Sequence, residues 1–176
     1  QPAPFNTITN AIAIIKTSGV TGPVTFLLDD ATYAASETFP IVITAFTGAS
    51  AVNTLPIKPN AGKTVVVRSN SGSPTSIFFF FFADYVIFDG NNGSVNRALT
   101  VYNNSTVHTS AKTVFWLRNT AKFNQFKNLN IQQNFSAISH LSLGLFAGGA
   151  SISTSSNANN PNTTVDNVNF VDVKHL

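Results

Sequence analysis

Ser76-Ile-Phe-Phe-Phe-Phe-Phe-Ala-Asp-Tyr-Val-Ile-Phe-Asp-Gly90 is the stretch whose reading decides the fold. Five consecutive phenylalanines, Phe78 to Phe82, favour an extended backbone. Alternation along a strand sends Phe78, Phe80 and Phe82 to one face and Phe79 and Phe81 to the other. One set fills a core, and the other lies on an outer face that needs a cover. Pro74 upstream and Asp89-Gly90-Asn91-Asn92-Gly93 downstream bound the run with turn chemistry and exclude a helix. The stretch is expected to be a strand pair buried on both sides.

Outward from this run the chain punctuates into short strands. Val24–Leu28, Ile41–Phe46, Thr64–Arg68, Ser76–Phe82, Tyr85–Phe88 and Ala98–Tyr102 are β-branched or aromatic and bounded by Gly, Pro, Asn or Asp. Thr113–Leu117, Phe126–Ile131, Leu141–Phe146 and Val165–Val171 continue the series. Only residues 5–18 have a helical period: Ile8, Ala11, Ile12 and Ile15 form one stripe, Asn6 or Thr7 caps it, and Gly19 stops it. With no second helix, alternating βαβ units are excluded.

An internal echo says how the strands are arranged. Lys127-Asn-Leu-Asn-Ile131 and Asp166-Asn-Val-Asn-Phe170 share one pattern, and Asp84–Gly90 reads as a degenerate earlier copy. Stacked coils require the same residue type at the same place on each turn. Asn suits their corners, because its backbone tolerates the left-handed region and its amide bonds along the stack.

The order of short helix, Gly19–Phe26, Ala83–Gly90 and Asn-rich rungs resembles right-handed parallel β-helix proteins. Specifically, it resembles large exported surface proteins of Bacteroidetes-type bacteria with pectin-lyase-like repeats. The resemblance implies a single all-β domain over 1–176, with a capping helix at 5–18 and coils over 24–173. A portion of a longer chain is the alternative. It also implies an adhesive or structural module rather than an enzyme.

Composition narrows the function. Only 10% of residues are charged against 43% hydrophobic, so Asn, Ser and Thr carry the polar surface. The net charge of +3 comes from scattered Lys and Arg, which gives nucleic acid no footprint. Cys is absent, which removes disulfides and thiolate metal sites. No apolar run reaches the roughly 18–20 residues of a membrane-spanning helix. The start at Gln1, without Met, fits removal of a signal peptide and hence a secreted or cell-surface protein.

Candidate chemistry is sparse. Asp29-Asp30 reads as a solvated turn rather than a Ca²⁺ site, and Asp89-Gly90 as a turn in its own right. His108, His140 and His175 are too widely spaced for a zinc motif. No catalytic, cofactor or metal residue is assigned. The leading expectation is a self-assembling structural subunit of a surface fibre, with its interface drawn from Phe78, Phe79, Phe80, Phe81, Phe82, Trp116, Val171 and Val173. The alternative is a module that binds or cleaves polysaccharide such as surface glycans; it requires Asp84, Asp166 and Arg118 to converge in a cleft.

Overall fold

The computed structural model describes residues 5–70, 74–106, 110–134, 141–152 and 160–173. Helix α1 (Ile8–Ser18) precedes strands β1 (Phe26–Leu28), β2 (Thr32–Tyr33), β3 (Ile41–Thr44), β4 (Leu55–Pro59) and β5 (Val65–Arg68). Then come β6 (Phe78–Phe81), β7 (Val86–Asp89), β8 (Leu99–Asn103), β9 (Lys112–Arg118) and β10 (Gln125–Lys127). The series closes with β11 (Leu129–Gln133), β12 (Ser142–Ala147), β13 (Thr164–Asp166) and β14 (Asn169–Val171).

Each strand from β1 to β11 pairs in parallel with the strand three places further on, which builds three walls: β1-β4-β7-β10-β13, β2-β5-β8-β11-β14 and β3-β6-β9-β12. Parallel neighbours need a long crossover, and here the other two walls of the coil supply it. The chain is therefore an all-β parallel solenoid, a β-helix with one short N-terminal helix. Coils differ in length because loops project between walls: Phe115 pairs with Leu145, 30 residues on, whereas Phe126 pairs with Val165, 39 residues on.

Like stacks on like inside. The first wall turns Ile57, Phe88 and Phe126 inward, the second Val67, Val101 and Ile131, and the third Phe78 and Phe115. Phe78, Phe80, Phe88, Phe115 and Phe126 are fully buried and meet at the centre, with ring centroids 4.6 to 6.4 Å apart. Each such ring contributes roughly 1.5–3 kcal/mol by leaving water.

The five-Phe run departs from strict alternation at its end. β6 stops at Phe81, and Phe82 takes a positive φ of 57° and stands 48% exposed instead of joining Phe78 and Phe80. Phe82 N–H bonds to the Arg118 carbonyl, which keeps the corner in step with the next coil. Two further expectations change in the same way. Phe126–Ile131 and Val165–Val171 are each two strands, broken at Asn128 (φ 53°) and Asn167 (φ 50°). The earlier copy is also offset from the echo, for Asp89, not Asp84, lies opposite Lys127.

At the N-terminal end α1 lays Ile8, Ala11, Ile12 and Ile15 on the core and packs against β3. Thr7 is its N-cap, accepting the Asn10 N–H at 3.0 Å. The remaining N-terminal donors meet Glu37, whose carboxylate accepts the N–H groups of Ile8 at 2.6 Å and Thr9 at 2.9 Å. A carboxylate there also complements the positive end of the helix dipole.

Candidate functional site

Corners decide which side chains reach the surface. Between β6 and β7, Phe82 and Tyr85 both have positive φ; one coil later Asn119, Thr120 and Phe123 do the same. Behind this corner lies Asn124, fully buried, whose Oδ1 accepts the Val86 N–H at 3.0 Å and whose Nδ2 donates to the Ala83 carbonyl at 2.8 Å. Asp84 Oδ1 accepts the Lys122 N–H at 2.9 Å. These bonds lock two successive coils together and fix the direction of the rings outside them.

The outer surface of the third wall carries a row of large apolar side chains parallel to the solenoid axis. In register these are Val42, Phe79, Trp116 and Phe146. Ring centroids lie 5.0 Å apart for Phe79 and Trp116 and 6.4 Å for Trp116 and Phe146. The adjoining row places Arg118 over the Phe81 ring at 5.9 Å, and Phe82 meets Phe81 edge-on at 4.8 Å. Round the corner Tyr85 and Phe123 stack at 4.9 Å, with Lys122 over the Phe123 ring at 5.8 Å.

Cover over this surface is uneven. The backbone at Gly148 closes over Phe146, so closely that a methyl there would enter the ring. Phe79, Phe81 and Trp116 are only half-buried, and Val42 is 44% exposed. Within the same patch two polar atoms, Trp116 Nε1 and Arg118 Nε, are buried with no hydrogen-bond partner. A buried donor left without a partner costs about 1–3 kcal/mol.

Of the residues named from the sequence as an interface, Phe79, Phe81, Phe82 and Trp116 share this one surface, while Phe78 and Phe80 point into the core. Val171 and Val173 are half-buried on the last coil. There Asp166, in register with Lys127, and Asp172 are exposed, and Val165, in register with the buried Phe126, is 46% exposed. Sequence reasoning named Arg118 only for the alternative cleft and did not single out Lys122; an Arg two residues after the single Trp was the available signal.

The carboxylates serve the frame. Asp29 accepts from Asn60 at 3.1 Å and lies 3.7 Å from Lys63, which together hold its carboxyl below the usual range. Asp89 accepts from the Asn91 N–H and from Asn128 Nδ2 and pairs with Lys127 at 3.8 Å. Asp84, Asp166 and Arg118 belong to three different elements: the β6–β7 corner, β13 and the end of β9. Among the described residues no three His, Asp or Glu side chains are grouped to hold a metal. The three histidines lie outside those residues. A cavity of about 370 Å³ between α1 and β1, lined by Phe5, Ile8, Val24 and Phe26, is apolar.

Fold and surface together define a parallel β-solenoid with an aromatic outer wall. No protein-family model matches the chain, and neither a curated protein nor a solved structure matches it.

Proposed function

We propose that this solenoid is an extracellular structural or adhesive module that associates with copies of itself into a surface fibre. In this reading it is akin to the exported β-helix surface proteins of Bacteroidetes-type bacteria with pectin-lyase-like repeats. The observation that carries the proposal is the half-buried row Phe79, Phe81 and Trp116, extended by the exposed Phe82, on the outside of the third wall. Contiguous exposed apolar surface of this kind favours a protein partner. Covering several rings would offset the entropy lost on association, since full burial of each is worth roughly 1.5–3 kcal/mol.

Light scattering on the purified chain at micromolar concentration, with negative-stain images of the same sample, tests the proposal. Oligomers or fibres are expected, together with a shift to monomer in the Phe79→Ser/Phe82→Ser variant. A wild-type chain that remains monomeric at those concentrations would overturn it.

A further inference from the structure

We infer that two copies pair antiparallel, wall on wall, about a two-fold axis that passes between the second coil (β4–β6) and the third (β7–β9). The inference rests on the self-association proposed above and gives its geometry.

The register between these two coils carries it. On the outer wall Phe79 lies beside Trp116 of the next coil, and Phe81 beside Arg118. At the corner that follows, Asp84 meets Lys122 and Tyr85 stacks on Phe123. Each of these residues thus has its complement one coil away: ring beside ring, ring beside cation, carboxylate beside cation. A two-fold perpendicular to the solenoid axis exchanges the two coils, so residue i of one copy meets residue j of the other, and j meets i. Phe81 then faces the partner's Arg118 and Asp84 faces the partner's Lys122, each contact being made twice. A two-fold along the solenoid axis would instead set each coil against its own mate. Lys122 would then meet no carboxylate of that corner, since residues 119–124 contain none.

The charged groups are available for such a contact. The ion pairs formed within the described residues are Asp29–Lys63 and Asp89–Lys127, neither of which uses Asp84, Arg118 or Lys122. Asp84 accepts the Lys122 N–H through Oδ1, which leaves Oδ2 to a partner. All three are half-buried and stand on coils that have another coil on either side, so this surface belongs to the body of the solenoid.

Backbone strain at the same corner points outward as well. Phe82, Tyr85 and Phe123 take φ values of 57°, 60° and 57°, a conformation that favours Gly or Asn. Asn119 and Asn162 hold the matching places on neighbouring coils. Rings kept there cost stability, and Phe82, 48% exposed, recovers little of it by burial. Their use lies outside the chain. A two-fold contact closes on itself, so this surface makes pairs, and the proposed fibre is built of pairs.

Mixing two charge variants tests the pairing. Lys122→Glu leaves only carboxylates at the exchanged positions and Asp84→Lys leaves only cations. Each variant alone is expected to associate roughly tenfold more weakly than wild type, or worse, by sedimentation of the purified chain. In a mixed pair every carboxylate faces a lysine, so an equimolar mixture is expected to recover association close to wild type. Asp84→Asn, which keeps an oxygen for the Lys122 N–H, should weaken association with the melting temperature unchanged. Variants that associate like wild type, Asp84→Asn included, or a mixture no stronger than its components, overturn the inference. If wild type then still associates and Phe79→Ser/Phe82→Ser does not, the aromatic wall stands as the interface and only the two-fold falls. A wild-type chain that never associates removes both.

Discussion

Gly90 lies directly against Asn128 of the next coil: a methyl group at Gly90 would stand 1.8 Å from the Asn128 carbonyl oxygen. The atom it would strike is backbone, so nothing there rotates away. Asn128 in turn donates from Nδ2 to Asp89 at 2.8 Å and accepts from Asn167 Nδ2 at 2.6 Å. One corner thus combines a forced close approach with a ladder of amides running along the solenoid.

Substitution at this corner should separate the two effects. Gly90→Ala is expected to cost more than about 3 kcal/mol, since the coils must part to admit the methyl. Asn128→Ala loses the ladder and strains a φ of 53°, and should cost about 1–2 kcal/mol. Asn128→Gly loses the amide but relieves the strain, so it should be the milder of the two. Urea unfolding of the three variants checks the order.

Asn124→Ala should be destabilising beyond its small change in volume. It strands the Val86 N–H and the Ala83 carbonyl in a fully buried site. Two unpaired groups together cost about 2–5 kcal/mol. Amide hydrogen exchange at Val86 should accelerate more than at positions on the far wall.

The two sides of β6 should respond differently to truncation. Phe80→Ala opens a cavity among Phe88, Phe115 and Phe126 and is expected to cost about 3–5 kcal/mol. Phe79→Ala, on the half-buried outer face, should cost less than about half of that but lower the tendency to associate. Thermal melts paired with light scattering distinguish these outcomes.

Alkaline pH should act on the N-terminal end. Burial pushes the Tyr33 phenol above its usual 10.0, while its oxygen accepts the Asp29 N–H at 3.1 Å and the Asp30 N–H at 3.4 Å. A raised pKa means that the folded state holds the proton more tightly than the unfolded one. Its contribution is complete below pH 10.0 and declines as pH rises from there through the folded value. Tyr33→Phe should lower stability by about 1 kcal/mol at neutral pH through the lost acceptor, yet show a shallower loss above pH 10 than wild type. Unfolding curves of both chains across pH 8 to 11 test the difference.

Much of this architecture could be read before any coordinates. The stripe Ile8, Ala11, Ile12 and Ile15 announced a helix lying on a core. The echo at Lys127–Ile131 and Asp166–Phe170 marked stacked corners, where Asn128 and Asn167 take the left-handed backbone and bond along the axis. Two strands escaped notice for local reasons. Thr32–Tyr33 is too short to show a period, and Leu55–Pro59 contains two prolines, which ordinarily argue against a strand inside a sheet.

Sequence by itself determined that short β-branched and aromatic strands would coil upon one another, with Phe78 and Phe80 on one face and Phe79 and Phe81 on the other, because side-chain alternation is a local property of the strand; which face is the core was decided by the coil. Only the tertiary structure decided where each coil turns, and so that Phe82 leaves the row at a left-handed corner shared with Asn119 of the next coil. It alone also brought Trp116, Arg118 and the outer phenylalanines onto one surface, because the register between coils is set by loops of unequal length that carry no periodic signal.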